Sequence, residues 1–403
     1  MIEQIIKKYI NQPMDVVIEA GLRNRIGDII KTIDIGTRVT IVSDKNTYEI
    51  LGKTVENSIG NVIIDSLVFD SNVTADIKNV NIVRETARFS DMIIAVGSGT
   101  INDLCKYAGH LNNIPYIVFA TAPSMNGYSS ANASISINGY KQTFKAQLAR
   151  AIFFDLDILA NAPIRLIKSG LGDSICRPTC QADWLLSHLL LGTKYDETPF
   201  NILKTVENEL FENSEALIRQ DRQALKLLCQ TLILSGIGMY ISNGSYPASQ
   251  GEHLIAHTME TILKKGHPHS FHGEQIGVTT LTMAEIIEHN LQNIPVIKGN
   301  FDENVIYNFY GKNLGDKYSR EYNSKVFSAA MIEQLNTYIQ NNWHNISHKI
   351  SSVMISRDKL KNILSKAQAA VSYKDIGWTK NSYQLGILHA KYMRNRFGFL
   401  DLN

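Results

Sequence analysis

The sequence predicts an α/β domain built on a parallel sheet, followed by an all-helical domain. Three observations carry this. The stretch from Met92 to Ser130 reads as strand, helix, strand: the apolar run Met92 to Val96, a break at Gly97-Ser98-Gly99-Thr100, a helical pattern of Ile101, Leu104, Cys105 and Ala108, and a second apolar run, Tyr116 to Ala120. Short β-branched runs alternate with helical patterns from the start of the chain to this point, which is the mark of βαβ units. Near Pro163 the texture changes to long Leu- and Ile-rich helical patterns. The expected division is therefore residues 1–163 and residues 164–403.

Residues 1–35 are amphipathic and read as helical, with turns near Pro13 and Gly36. Arg38 to Ser43 is a buried-strand pattern that ends in Asp44-Lys45-Asn46-Thr47. Asn61 to Phe69 reads as a strand and Ala75 to Phe89 as a helix. Ser134 to Ile137 and Tyr140 to Phe144 flank Asn138-Gly139, which suits a type I′ hairpin turn. Ala151 to Leu156 is one more strand. Helical patterns then cover Gln181 to Leu191, Arg222 to Ile241, Val278 to His289 and Ala329 to Asn342. Asn residues between Glu285 and Lys312 predict an exposed loop there.

The bulk composition narrows the function classes. A chain of 403 residues can bury a sizeable core, and 44% hydrophobic with 19% charged residues is ordinary for a globular protein. A net charge of +2 gives no case for a nucleic-acid or membrane-surface partner. Cys105, Cys176, Cys180 and Cys229 are too few, and too apolar in setting, for a disulfide framework. Cys176 and Cys180, in CRPTC, read as core thiols, because no second thiol pair completes a zinc site. The N-terminal stretch lacks a basic segment followed by a long apolar core, so no signal peptide is expected. No apolar run reaches the roughly 18 residues of a spanning helix. A reduced cytoplasm fits this chain.

The chemistry concentrates in two sets of residues. In open parallel sheets, ligands sit at the carboxyl ends of the strands. Gly97, Ser98 and Gly99 end one such strand and open a helix, where backbone amides and the helix N-terminus attract a phosphate. The motif is not a full GxGxxG, because Asn102 stands in the third glycine's place. Thr121, Ala122, Pro123 and Ser124 end the next strand. Asp44 either accepts hydrogen bonds from an adenosine ribose or caps the following helix, and the two roles are compatible. Lys45 beside it leaves a 2′-phosphate open, so NAD and NADP both stand. In the helical half, Asp173 lies in a helix-opening GLGD, and His253 and His257 are four apart on one helix face. His272 follows in FHGE. One Asp and two His leave open positions on a divalent cation, the layout of a Lewis acid that also binds substrate. His267 and His269 flank Pro268 and read as solvent-exposed.

These motifs together resemble the glycerol-1-phosphate dehydrogenases, within the iron-containing alcohol dehydrogenase and dehydroquinate synthase superfamily. The matching stretches are GSGTIND (97–103), TAPSMNGYSS (121–130), SGLGD (169–173), the PAS and GEH segments with the following His (247–257), FHGEQIGV (271–278) and RNRFGFLDL (394–402). The resemblance implies a Rossmann-like nucleotide-binding domain, a dehydroquinate synthase-like helical domain, and an active site in the cleft between them. It implies that Gly97, Ser98, Gly99, Thr100 and Ile101 hold the pyrophosphate of NAD or NADP. Thr121, Ser124 and Ser130 then contact the same cofactor, and Asp44 its ribose. Asp173, His253 and His272 then bind Zn²⁺, a donor set that also accommodates Fe²⁺ or Ni²⁺. His257 then touches substrate rather than metal. The implied reaction interconverts dihydroxyacetone phosphate and sn-glycerol 1-phosphate. The implied partner is a small polyol phosphate, in a homodimer or larger homo-oligomer.

Two residues depart from that family's pattern. Asn126 stands where an Asp contacts substrate, keeping the shape but losing the charge. Tyr246 stands where the family carries an Arg, and the loss of a guanidinium matters wherever a phosphate is held. Alternative readings are another polyol or polyol phosphate on the same scaffold, a dehydroquinate-synthase-like cyclase, or a non-catalytic nucleotide-binding relative.

Overall fold

The computed structural model describes residues 1–137, 140–263, 270–299 and 301–402. The chain divides into two compact units, one of Met1–Ser174 with Asn201–Asn243, the other of Ile175–Phe200 with Gly244–Asn403.

The first unit is built on eight strands: β1 (Asp15–Glu19), β2 (Arg38–Asp44), β3 (Ile63–Phe69), β4 (Met92–Gly97), β5 (Tyr116–Ala120), β6 (Asn132–Ile137), β7 (Tyr140–Lys145) and β8 (Ala151–Asp155). Six of them form one sheet in the order β1-β8-β5-β4-β2-β3. Every pairing in it is parallel. β4, β5 and β8 are buried at every residue, as strands covered by helices on both faces must be. β6 and β7 form a separate antiparallel pair. The expected turn residues of that hairpin, Asn138 and Gly139, lie outside the described residues.

The expected helical N-terminus is only partly helical. A helix covers Ile2–Tyr9, but Asp15–Glu19 is β1, an edge strand paired with β8 from Asp15↔Ala151 to Glu19↔Asp155. Its apolar core is only Val16-Val17-Ile18, too short to stand out beside the amphipathic helix before it.

The strand order places a topological switch point between β2 and β4. The chain leaves β2 toward β3 on one side and leaves β4 toward β5 on the other. Right-handed crossovers then send the two helices to opposite faces, which opens a crevice at the carboxyl ends of these neighbours. Their register runs to Val42↔Ala95, so Asp44 and Gly97 sit level with each other, each two positions further on.

Other helices of this unit pack against the segments that follow β5. The helix Ile164–Ser174 lies against the segment after β5: a methyl group at Gly170 would overlap the Pro123 carbonyl oxygen. The helix Arg222–Ile241 lies under the turn Asn126–Ser129, where Gly236 leaves room for Ser129 Oγ and the Asn126 carbonyl. By length and composition this helix could cross a bilayer, although the sequence lacks an unbroken apolar run there; most of it is buried in the fold.

The second unit is helical. Among its helices are Arg177–Leu191, Gly251–Ile262, His272–Gln292, Ala329–Ser351 and Lys380–His389. Its largest core cluster among the described residues includes Leu186, Ile255, Met259, Val278, Met283, Ile339, Trp343 and Phe399, and Cys176, Cys180, Ala256 and Ile276 form a smaller one. Each large apolar side chain, fully removed from water, contributes about 1.5–3 kcal/mol. Of the loop expected between Glu285 and Lys312, both ends are helical, in His272–Gln292 and Asn304–Asn323, and residues 293–299 lie outside any helix.

Candidate active site

The sequence-predicted residues fall into two groups, one in each unit. In the first unit, Gly97 is the last residue of β4 and Ser98 stands at the N-cap position of the helix Gly99–Asn112. The amides that open this helix have no partners inside it, so they are the natural donors to an anion. A Cβ at Gly97 would press on Ile101, and one at Gly99 on Met125. The close approach of Ile101 Cβ requires glycine at 97, whereas the flexible end of Met125 could shift to admit a methyl at 99. Thr121 is buried, and its amide donates to the Gly97 carbonyl at 3.2 Å, which ties the ends of β4 and β5 together. Ser124 is buried, with its carbonyl 3.4 Å from Ser169 Oγ. Ser130 is also buried, and its hydroxyl lies 3.2 Å from the Gly127 carbonyl and 3.1 Å from that of Asn132.

Asp44 caps a short helix. Its Oδ1 accepts from the amides of Asn46 at 2.8 Å and Thr47 at 3.0 Å. The cap reading of the sequence is therefore observed, and it leaves the switch-point position of Asp44 intact. Lys45 pairs with Asp70 at 2.6 Å in an exposed ion pair.

The GLGD segment, expected to open a helix, instead closes the helix Ile164–Ser174; Asp173 lies one turn after Gly170, so the helix contact that Gly170 permits also aims this carboxylate at the turn that follows β5. Its Oδ2 accepts from the Asn126 amide at 2.8 Å. The Asn126 side chain donates to Ser235 Oγ at 3.3 Å. Beneath this turn, fully buried Lys106 donates to the carbonyls of Gly127 and, at 3.1 Å, Asn132. Burial pushes the Lys106 amine down to about 8, against the attraction of Asp103.

In the second unit, three imidazoles converge. The ring centroids of His253 and His272 lie 5.2 Å apart, those of His253 and His257 5.9 Å, and those of His257 and His272 5.8 Å. Helix periodicity brings His253 and His257 together, and His272 arrives as the first residue of the next helix. Glu274 fixes that helix start by accepting from the Phe271 amide at 2.8 Å. His257 Nδ1 lies 3.1 Å from Glu260. His267 and His269, expected to be exposed, lie outside the described residues.

Sequence reasoning assigned no role to Glu252, yet it organises this group. It is fully buried and lies 2.9 Å from His253 Nδ1. Its Oε1 also accepts from the Gln250 amide at 2.7 Å and from Cys180 Sγ at 3.0 Å, while Oε2 accepts from Thr179 at 3.1 Å. Burial alone would raise this carboxyl, but His253, Cys180 and the Gln250 amide hold it down to about 2. An ionised carboxylate only accepts, so His253 Nδ1 carries a proton, and it is the neutral ring with its proton there that presents a lone pair at Nε2. That tautomer, braced by a carboxylate, is the state in which a histidine ligates a metal. Nitrogen donors from converging imidazoles are of the kind that suits a divalent cation. Donor atoms of Cys176, Glu252 and His253 also lie within 4.8 Å of one another. Burial pushes the Cys180 thiol far up, which leaves it a neutral donor to Glu252.

Asp183 is a second buried carboxylate that the sequence did not single out. It accepts from the Gly251 amide at 3.0 Å and the Phe399 amide at 2.7 Å, so it anchors the start of the His253 helix to the C-terminal segment. A Cβ at Gly251 or Gly398 would press on its oxygens. Burial pushes its carboxyl up to about 7, partly opposed by those two amides.

Comparison with known proteins agrees with the resemblance. Residues 17–163 match the family model described as iron-containing alcohol dehydrogenase. The chain is 31% identical over 285 residues to the glycerol-1-phosphate dehydrogenase [NAD(P)+] of Thermococcus sibiricus, covering 70% of this chain and 80% of that one. It is 32% identical over 255 residues to the enzyme of the same name from Bacillus subtilis, covering 61% of this chain and 65% of the relative's length, just under two thirds. Its fold matches the NADH-dependent butanol dehydrogenase A of Thermotoga maritima with a TM-score of 0.64 at 15% identity, over 96% of this chain and 91% of that chain.

Proposed function

The chain belongs to the glycerol-1-phosphate dehydrogenase family, and from that premise we propose that it is a metal-dependent NAD(P) oxidoreductase interconverting dihydroxyacetone phosphate and sn-glycerol 1-phosphate by hydride transfer. The observation that carries the reading is the imidazole cluster of His253, His257 and His272, with Glu252 fixing the tautomer of His253. A bound divalent cation supplies Lewis acidity at the substrate's oxygen, and a bound nicotinamide supplies the hydride acceptor or donor.

The chain's own residues do the rest. In this reading residues 1–163 bind the nucleotide: Gly97, Ser98, Gly99, Thr100 and Ile101 hold its pyrophosphate, Thr121, Ser124 and Ser130 line its path, and Asp44 receives the ribose. Asp173, His253 and His272 hold the cation. His257 faces the substrate, with Glu260 against its Nδ1. Asn126 orients a substrate hydroxyl through its amide, which both donates and accepts. Asn126 also favours a second reading, a different polyol or polyol phosphate on the same scaffold, because its side chain is already directed to Ser235.

The test is the initial rate of NADH and NADPH oxidation with dihydroxyacetone phosphate, in Zn²⁺-loaded and chelator-treated protein. Oxidation in the loaded protein and its loss on chelation support the proposal, and the two nucleotides rank the cofactor. Intact nucleotide binding without oxidation of either cofactor contradicts it and moves the search to other ketoses.

A further inference from the structure

The loop Ser245 to Ser249 leads directly into the helix that carries His253 and His257. Two arginines from the C-terminal segment converge on it. Arg394 Nη1 donates to Ser249 Oγ at 3.2 Å, with Ser245 Oγ at 3.5 Å. Arg396 Nη2 donates to Ser245 Oγ at 3.0 Å, and its Nη1 to the Ser249 carbonyl at 2.6 Å. The Arg396 guanidinium lies 4.0 Å over the ring of Tyr246, which stacks in turn on Trp184 at 5.4 Å. Tyr246 is 37% exposed, so the group opens to solvent.

Two like charges that share the Ser245 hydroxyl and both bind Ser249, one at its hydroxyl and the other at its carbonyl, repel each other, and partial burial strengthens the repulsion. Among the described residues, no carboxylate lies within ion-pairing distance of either guanidinium. The carboxylates that do act on them, Glu321 on Arg394 and Glu252 on both, attract from further away, and Lys317 adds a third repelling charge beside Arg394. Desolvation and the charge of Arg394 push Arg396 down to about 9, which keeps it protonated at neutral pH. Serine hydroxyls, a carbonyl and a ring orient these cations but do not neutralise them. An arrangement this costly matches a dianion: planar guanidinium forks bind phosphate oxygens two at a time, and hydroxyls add donors.

We propose that Arg394 and Arg396, with Ser245 and Ser249, form the site that holds the phosphate monoester group of the substrate. This assignment rests on the reading of the chain as an enzyme of a phosphorylated polyol. It also accounts for Tyr246: the ring serves as a platform that sets the plane of Arg396.

The test has two arms, so that failure of the site and failure of the reaction are separable. In the first arm the probe is inorganic phosphate, and the readout is thermal unfolding of the full chain at constant ionic strength set with sodium chloride. Wild type should gain stability with phosphate in a saturable manner, and Arg394→Gln and Arg396→Gln should lose that response. Arg320→Gln is the control, because Arg320 donates to a carbonyl of its own helix. In the second arm, the KM for dihydroxyacetone phosphate should rise about 10- to 100-fold in each variant, the range for loss of a charge-assisted bond. If a Gln variant fails to fold, Arg396→Lys keeps the charge without the fork and should show a partial loss in both arms. A phosphate response missing in wild type, or equal in wild type and the Arg variants, overturns the site. A response lost in the variants, in a protein that does not reduce dihydroxyacetone phosphate, upholds the site and rejects that substrate alone.

Discussion

Replacing Glu252 by Gln removes one charge and almost nothing else. Glu252 Oε1 receives three donors, His253 Nδ1, the Gln250 amide and Cys180 Sγ, and Oε2 receives only Thr179. A glutamine oriented with its oxygen at the first position keeps all three. Its NH₂ then faces Thr179 Oγ1, which can accept while its own proton goes to the Cys176 carbonyl at 2.9 Å. The hydrogen-bond pattern survives, so the fold should lose no more than about 1 kcal/mol. What is lost is the negative charge behind His253, and with it the added basicity of Nε2. Such supporting carboxylates are worth about 10- to 100-fold in metal affinity. The assay is competition for Zn²⁺ against a chromophoric chelator, with unfolding of the metal-free protein measured in parallel. A Glu252→Gln protein that folds normally and binds Zn²⁺ 10- to 100-fold more weakly fits the reasoning. Wild-type affinity in that variant would refute it, because His253 would then need no carboxylate behind it.

Other expectations follow from the same contacts. Gly170→Ala forces a methyl into the Pro123 carbonyl, so it should cost at least the roughly 1–3 kcal/mol of an overpacked site, and it should displace Asp173; urea unfolding and Zn²⁺ affinity check both. Asp183 has a folded pKa raised to about 7, so between about 4 and 7 the folded state holds a proton that the unfolded state releases. Stability should therefore fall as pH rises through that window, by up to about 4 kcal/mol, and the slope should flatten in Asp183→Asn; unfolding free energies from pH 4 to pH 8 decide this. Asp183→Asn should itself cost about 1–3 kcal/mol at low pH, because one of two amides loses its acceptor. Asn126→Asp places a second carboxylate beside Asp173, which already accepts from the amide of residue 126; activity with dihydroxyacetone phosphate should rise if a charge orients the substrate hydroxyl, and an unchanged rate refutes that role.

The sequence made the central features of the fold legible because they are local. The strand, turn and helix around Gly97 follow from a short apolar run, small residues and a helical period, and β2, β3, β5 and β8 follow from the same signals. β1 escaped because its apolar run is brief and half-exposed at a sheet edge, where pairing with β8 rather than composition makes it a strand. Histidine spacing pointed to the convergence of His253 and His257 because helix geometry alone brings them together. Glu252 faces His253 from the adjacent position, and no periodic signal separates a buried carboxylate from an exposed one. Asp183, Arg394 and Arg396 act across long sequence separations, meeting residues 251, 399, 245 and 249, so only the folded chain reveals them. Tyr246 read as a lost arginine in the sequence, and the fold sets another arginine over its ring.

The most direct measurement is reconstitution of metal-free protein with Zn²⁺, following NAD(P)H oxidation by dihydroxyacetone phosphate and the configuration of the product. The account predicts activity that rises in step with bound metal to a plateau at one ion per chain, and a product that is sn-glycerol 1-phosphate. Turnover that persists without metal, or a product of the opposite configuration, would contradict it.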